Sequence, residues 1–192
     1  MRKLFLMCAA LLISATTALA GNDLSLKDIT SGKFAPKGIG SITALDDGET
    51  YAQVSKDGKK VVRYSFRTGK QTDVLFDVNN TIGQKIESFE DYIMSPDGTK
   101  MLIQTNSHKI YRRSFTADFY IYTIASRKLE KLSDNGAQQT PVWSPDGKQI
   151  AFVRDNNIFL VKLLYDNAAS QVTKDGKKNE LINGIPDWVN AE

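Results

Sequence analysis

The sequence has few of the residues that carry most enzyme chemistry. Its 192 residues include one cysteine, Cys8, and one histidine, His108. A disulfide needs two cysteines, and a metal site needs several histidine, cysteine or carboxylate ligands at close spacing. We therefore expect no disulfide, no metal site and no cofactor. His108 is interpreted as an ordinary surface residue, because no partner for it can be identified.

Charge of one sign and long apolar runs are also scarce. The chain has 25 basic and 22 acidic residues, a net charge of +3. This near balance does not indicate a basic surface that would bind nucleic acid or an anionic membrane. The one long apolar run follows a short basic start and ends at Ala18-Leu19-Ala20. This pattern is typical of a secretory signal peptide. Residues 1–20 are therefore predicted to be a signal peptide, and the protein to be exported to the periplasm or secreted.

A membrane anchor is the alternative interpretation of the same apolar run. It is disfavoured because Ser14, Thr16 and Thr17 interrupt the run and no basic stop-transfer cluster follows it. We therefore expect no stable membrane span. Cys8 would leave with the signal peptide, so that the mature chain would contain no cysteine.

Motifs for making and breaking bonds are absent from the sequence. It contains no G-x-S-x-G nucleophile elbow, no H-E-x-x-H, no P-loop and no dinucleotide fingerprint. Asp46-Asp47 and Asp57 each precede a glycine in the pattern of a turn, which explains these aspartates better than acid–base pairing does. No catalytic residue is therefore assigned within these 192 residues.

The sequence does contain an internal repeat. SPDGTKMLIQT at 95–105 recurs as SPDGKQIAFVRD at 144–155, and LDDGETYAQVS at 45–55 is a weaker copy. The copies start 50 and 49 residues apart. In each copy an Asp-Gly turn precedes apolar residues in the pattern of a β-hairpin. Two more strand-like runs follow, such as FYIYTI and KLEKLS in the second copy.

Four short strands per repeat are typical of a β-propeller blade. The predicted fold class is all-β, with about three complete four-stranded antiparallel blades plus the start of a fourth, in a partial propeller domain at 41–192. Residues 21–40 are predicted to be a lead-in segment with one helical turn. Propellers have about four to eight blades, so we expect an incomplete ring and part of a longer protein. A compact three-blade sandwich is the alternative.

The second blade carries an insertion between its second and third strands. If Ile121 of the second blade is aligned with Ile158 of the third, the third strands of the two blades are 37 residues apart. The S-P-D-G turns of the same blades are 49 residues apart, so the second blade is predicted to contain twelve extra residues. These include the pair Arg112 and Arg113. Insertions confined to one repeat often lie on a binding face. From the residues alone, the pair is either ordinary solvated surface or is presented for charge-assisted hydrogen bonding.

Three stretches carry a family resemblance. They are SFEDYIMSPDGTKMLIQ, YRRSFTADFYIYTI and NGIPDWVNAE, and LSLKDITSGKF at 24–34 adds a weaker match. Together they resemble the N-terminal half of the propeller of dipeptidyl peptidase IV, in its bacterial exported form. The resemblance covers residues 22–192 in the same order. S-P-D-G turns occur in many periplasmic propellers, whereas the arginine insertion followed by N-G-x-x-D-W-V is much more specific.

The resemblance implies substrate-binding roles for two residues. The family motif W-R-H-S-Y-T-A reads Y-R-R-S-F-T-A here, so Arg112 takes the place of the arginine that hydrogen-bonds the carbonyl of the substrate's penultimate residue. The family run W-V-Y-E-E-E, whose last two glutamates grip the substrate's α-amino group, reads W-V-N-A-E. Glu192 falls at the first of those two glutamates. Asn190 and Ala191 depart from the family run.

The resemblance also implies a function for the complete protein, that of an exported serine exopeptidase releasing X-Pro or X-Ala dipeptides. Its partners would be peptide N-termini, a C-terminal α/β-hydrolase domain missing from this chain, and a second copy in a homodimer. This chain would contribute substrate recognition and would be inactive alone. The alternative function is a non-enzymatic TolB-like periplasmic propeller that binds proteins, because the S-P-D-G repeats suit it equally well.

Overall fold

The computed structural model describes residues 24–36, 38, 40–164 and 167–187. It divides the chain into two compact units, Met1–Ile39 and Gly40–Glu192. The predicted signal peptide at 1–20 lies outside the described residues, as do residues 188–192.

In the first unit, the described residues form one short helix, α1 (Leu26–Thr30). The hydroxyl of Ser25 accepts a hydrogen bond from the backbone N–H of Asp28 at 3.1 Å, and the Asp28 carboxylate accepts one from the Ser25 N–H at 3.3 Å. This reciprocal capping satisfies two N–H groups that a helix start would otherwise leave unpaired. It stabilises the single helical turn expected in the lead-in segment.

In the second unit, the described residues form thirteen strands in three sheets. The first sheet has the order β1-β2-β3-β4, with β1 (Ile42–Ala44), β2 (Thr50–Val54), β3 (Lys60–Ser65) and β4 (Gln71–Asp77). The second has the order β5-β9-β8-β7-β6, with β5 (Ile82–Gly83), β6 (Asp91–Met94), β7 (Lys100–Lys109), β8 (Phe115–Thr123) and β9 (Lys128–Lys131). The third has the order β10-β11-β12-β13, with β10 (Gln139–Trp143), β11 (Gln149–Arg154), β12 (Asn157–Lys162) and β13 (Ala169–Gln171).

Each sheet contains a four-stranded antiparallel meander, which confirms the predicted all-β fold with three blade units. The second sheet also has a fifth strand that was not predicted. β5 follows a 3₁₀ turn at Val78–Asn80 and pairs with β9 in parallel, with Ile82 opposite Lys128 and Gly83 opposite Leu129. The chain therefore runs along the outer strand of the second sheet before it enters that sheet at β6.

The expected start of a fourth blade is described only up to residue 187. Residues 172–187 form no strand, and their bridge pairs Lys177 with Leu181. Residues 188–192, the rest of the expected start, lie outside the described residues. The fourth blade therefore stays a prediction.

The Asp-Gly turns between the first and second strands of the second and third sheets share one hydrogen-bond pattern. In the second sheet the hydroxyl of Ser95 donates to Asp97 at 2.6 Å and accepts from the Lys100 N–H at 2.9 Å. The third sheet repeats the pattern with Ser144, which donates to Asp146 at 2.5 Å. In these two turns a serine, an aspartate and a glycine in the left-handed region thus close the turn without help from distant residues.

Two apolar clusters hold the sheets together. Side chains alternate along β7, so that Met101 and Ile103 pack against the first sheet while Leu102 packs against the third. All three are fully buried. β8 behaves in the same way, with Tyr120 in the cluster of the first sheet and Phe119 in that of the third. The middle sheet thus buries both faces, as a propeller blade does between its neighbours.

No helix in the described part of the chain is long and apolar enough to cross a membrane.

Candidate functional site

The longest hairpin of the structure joins β7 to β8 and carries the two arginines. These strands have 10 and 9 residues, whereas β11 and β12 at the same place in the third sheet have 6 each. The Asp-Gly turns between the first and second strands of the second and third sheets lie at the same end of these sheets, since the Asp97 carboxylate lies beside Gly147. Because antiparallel strands alternate in direction, the connections from second to third strands lie at the opposite end. The β7–β8 hairpin therefore projects from the end away from the Asp-Gly turns.

The insertion in this hairpin is ten residues long, and the predicted length of twelve was wrong. Leu102 pairs with Ile121, 19 positions on, whereas Ala151 pairs with Leu160, 9 positions on. Ile121 is therefore equivalent to Leu160 and not to Ile158. A two-residue offset keeps every side chain on the same face of a strand, so similar residue pairs could be aligned in the wrong register.

A β-bulge separates the base of the hairpin from its tip. Thr105 pairs with Asp118 and His108 pairs with Thr116, so β7 contributes one more residue than β8 between these two pairs. Asn106, in the bulge, has a φ of +51°. Asparagine tolerates this left-handed conformation better than most residues. The bulge redirects the strand just before the arginines.

Hydrogen bonds fix the bulge from both sides. On the β6 side, the carboxylate of Glu90 accepts the Ser107 backbone N–H at 3.1 Å and the Gln104 side-chain amide at 3.3 Å. On the β8 side, the amide of Asn106 donates to the Asp118 carboxylate at 2.9 Å. Hydrogen bonding by Ser107 is the main cause that lowers the pKa of Glu90 below its ordinary value. Glu90 is therefore a carboxylate at neutral pH.

The tip of the hairpin is closed by its backbone. The N–H groups of Ile110 and Tyr111 both donate to the Ser114 carbonyl, at 2.9 and 3.2 Å. Arg112 and Arg113 lie in this turn and are exposed. The pair is thus held on a short closed turn and is accessible to a ligand, as a substrate-binding arginine must be.

His108 lies at the start of the tip, is exposed, and is paired across the ladder with Thr116. Within the described ranges, no group of three or more histidine, cysteine, aspartate or glutamate side chains could hold a metal ion. The interpretation of His108 as surface is consistent with this position.

The other predicted substrate-binding residue, Glu192, lies outside the described residues. The segment that leads to it is anchored at the same end as the arginine turn. The N–H of Asn183 donates to the carbonyl of Asn156, in the β11–β12 turn, at 3.0 Å. A Cβ on Gly184 would lie 2.7 Å from the Val153 side chain, so this glycine packs directly onto β11.

Asn157 organises this segment from within. It is 7% exposed, and its Oδ1 accepts the Gly176 N–H at 2.9 Å and the Thr173 hydroxyl at 3.2 Å. Its Nδ2 donates to the Asp155 carbonyl at 3.0 Å. The chain from Thr173 to Gly176 is therefore attached to the start of β12.

Sequence reasoning singled out Arg112 as a candidate but missed the residues that hold its hairpin in place. Glu90 lies 17 positions before its partner Ser107, and Asn106 lies 12 positions before Asp118. The one sequence signal for the bulge is Asn106, an asparagine within a strand-like run that is longer than in the other repeats.

Comparisons with known proteins give one consistent family. The model of the family "Dipeptidyl peptidase IV (DPP IV) N-terminal region" matches residues 95–192. Prolyl endopeptidase FAP of Bos taurus is 33% identical over 170 residues, which cover 88% of this chain and 21% of that protein. Dipeptidyl peptidase 4 of Felis catus is 36% identical over 121 residues, which cover 62% of this chain and 15% of that protein.

A solved structure agrees with these sequence matches. The crystal structure of Porphyromonas gingivalis dipeptidyl peptidase 4 has a TM-score of 0.79 and 36% sequence identity, covering 90% of this chain and 25% of that one. The chain spans about a fifth of the length of the curated relatives that match it first.

Proposed function

Because this chain belongs to the dipeptidyl peptidase IV N-terminal region family, we propose that it forms the substrate-recognition part of a serine exopeptidase. The complete enzyme releases X-Pro or X-Ala dipeptides from peptide N-termini. The observation that carries this proposal is the exposed Arg112, held on a closed turn at the end of a hairpin that only the second sheet extends. The same residue stands in the motif Y-R-R-S-F-T-A.

Arg112 binds a carbonyl of the substrate in this proposal. A guanidinium is permanently charged and presents several N–H donors in a fixed plane, so it suits a peptide carbonyl better than a neutral donor does. Arg113 occupies the next position, where it orients the turn or faces solvent.

Glu192 supplies a carboxylate for the α-amino group of the substrate. An ammonium group and a carboxylate form a charge-assisted hydrogen bond, and a free N-terminus is what distinguishes an exopeptidase substrate from an internal peptide segment. The anchoring of Asn183 and Gly184 on β11 and its turn supports this role, because it holds the segment before Glu192 at the end that carries Arg112.

The chemical step belongs to an α/β-hydrolase domain elsewhere in the protein, since no nucleophile elbow occurs in these 192 residues. We further propose export through the signal peptide at 1–20 to the periplasm or the exterior, and a homodimeric full-length protein. Membership of the peptidase family supports this function over the TolB-like binding propeller that the turns alone allow.

The test is hydrolysis of Gly-Pro-4-nitroanilide by the full-length protein and by its Arg112→Ala variant. We expect kcat/KM to fall by about 10- to 100-fold, because a charge-assisted bond to the substrate is lost. Arg113→Ala is the matched control and should change kcat/KM much less. The 192-residue chain alone should not hydrolyse the substrate. Equal activity of wild type and Arg112→Ala would refute the proposed role of Arg112.

A further inference from the structure

Beyond the residues that touch substrate, we infer that Glu90 is a positioning residue for Arg112. It acts through the β-bulge at Asn106-Ser107, which it holds in place by accepting the Ser107 N–H. This inference rests on the proposed function, because it assigns Glu90 a part in placing the same arginine.

The backbone connection between Glu90 and the bulge is short and rigid. The N–H of Glu90 donates to the Gln104 carbonyl at 2.9 Å, so the residue is tied to β7 just before the bulge. Its carboxylate then spans to Ser107 on the far side of the bulge. Glu90 thus bridges the two halves of β7 that the extra residue separates.

The carboxylate of Glu90 takes the place of a strand partner beyond the end of β6. β6 begins at Asp91, which pairs with Gln104, so this strand has no residue opposite Ser107. A backbone N–H without a strand partner needs another acceptor, and Glu90 supplies it to Ser107. An ionised acceptor makes a stronger bond to an N–H than a neutral one does.

A second bond supports the bulge on the opposite side. Asn106 Nδ2 donates to Asp118 Oδ2 at 2.9 Å. With Glu90 on the β6 side and Asp118 on the β8 side, the bulge is held between two carboxylates. Loss of the Glu90 contact leaves one of these two attachments.

The position of the bulge determines where the arginine lies. Arg112 lies four positions after His108, and the ladder after His108 is regular up to the pair Lys109–Phe115. A change of direction at the bulge is therefore carried to the tip without an intervening hinge. Misplacement of a binding group by about 1 Å can reduce an enzymatic rate by about 100-fold.

The experiment is a double-mutant cycle in the full-length protein, with Gly-Pro-4-nitroanilide as substrate. Its variants are Glu90→Ala, Arg112→Ala and the combination of both. If Glu90 acts by placing Arg112, Glu90→Ala lowers kcat/KM by about 3- to 10-fold in the wild-type background. The same substitution should have almost no effect once Arg112 is alanine. The loss should appear mainly in KM.

Two further variants separate positioning from a general effect. Glu90→Gln keeps an oxygen that can accept the Ser107 N–H, so it should restore most of the lost kcat/KM even if Glu90→Ala folds poorly. Glu130→Ala removes a surface glutamate of the same sheet, which pairs with Lys128 at 2.8 Å, and should leave kcat/KM unchanged.

The outcomes distinguish the inference from the proposal beneath it. Equal losses from Glu90→Ala in both backgrounds, or no loss in the wild-type background, would overturn the positioning role while leaving the role of Arg112 intact. An Arg112→Ala variant with unchanged activity would overturn the proposed function itself.

Discussion

Gly83 passes so close to the outer strand of the second sheet that a Cβ at this position would lie 2.8 Å from the carbonyl oxygen of Leu129. The glycine has a φ of +92°. Its neighbours are bound to the same strand, since the N–H of Ile82 donates to the Arg127 carbonyl at 2.8 Å and the N–H of Gln84 to the Leu129 carbonyl at 2.9 Å. The parallel strand β5 thus depends on the absence of a side chain.

We predict that Gly83→Ala destabilises the full-length protein more than Gly69→Ala. Both glycines have positive φ, at +92° and +64°, but a Cβ on Gly69 would meet no atom within 4 Å. The control should lose about 1 kcal/mol through the left-handed backbone alone. Gly83→Ala should lose at least about 2 kcal/mol, because the backbone must also move away from Leu129. Urea unfolding measures both values, and equal losses would contradict the close approach.

Asp97 gives a prediction for stability at acid pH. The hydroxyl of Ser95 is the main cause that lowers the pKa of Asp97 from 3.8 to about 2. A carboxylate whose pKa is lower in the folded state stabilises that state above its unfolded pKa and loses this effect as pH falls through the folded value. The contribution is therefore complete above about pH 4 and disappears towards pH 2.

We expect Asp97→Asn to weaken the pH dependence of the melting temperature between pH 4 and pH 2. The variant should melt below the wild type at pH 5, and the two should converge near pH 2. Asp134→Asn is the control, because this aspartate has a side chain 86% exposed and an ion pair with Lys131 at 3.9 Å. Exposed ion pairs contribute little. An Asp97→Asn curve parallel to that of the wild type would contradict the prediction.

The blades could be predicted from sequence because each local signal is repeated. The Ser95–Asp97 contact spans two positions and recurs at Ser144–Asp146, so turn, strand and period all agree. The register of the long hairpin could not be predicted in the same way. Ile121 resembles both Ile158 and Leu160, and cross-strand pairing with Leu102 decides between them.

Candidate site residues could be identified from the sequence where the signal lies in contiguous residues. Arg112 stands out in a basic and aromatic stretch that the other repeats lack. The carboxylates of Glu90 and Asp118 cannot be recognised in this way, because their hydrogen-bond partners lie 17 and 12 positions away on other strands. The parallel pairing of β5 was missed for the same reason, since nothing in Ile82-Gly83 indicates which strand it meets.

Asn157→Ala should destabilise the protein by about 1–3 kcal/mol, because partly buried donors at Gly176 and Thr173 would lose the acceptor that buried Asn157 provides. Asn156→Gly is the control. Asn156 has a φ of +60°, which glycine adopts freely, so this change should alter stability by less than about 0.5 kcal/mol. Chemical denaturation of the full-length protein measures both. A loss for Asn157→Ala no larger than the control would show that the segment 173–176 is held by other contacts.

The Asn157→Ala variant also tests how the α-amino group of the substrate is bound. If Asn157 holds the segment that leads to Glu192, Asn157→Ala should raise KM for a substrate with a free α-amino group. Acetylation of that amino group removes its charge, so an N-acetylated analogue, used as a competitive inhibitor, should bind wild type and variant equally. Equal weakening for both ligands would indicate a general loss of folded protein.

Arg112→Lys tests whether charge alone is sufficient at the tip of the hairpin. Lysine keeps the positive charge but replaces the planar guanidinium with a compact ammonium on a flexible chain. We expect kcat/KM for Gly-Pro-4-nitroanilide to lie between the values of wild type and Arg112→Ala, with the loss in KM. Arg113→Lys changes the neighbouring residue in the same way and should have little effect. A full rescue by Arg112→Lys would show that Arg112 contributes only its charge, and the geometry imposed by the bulge would then have no role in substrate binding.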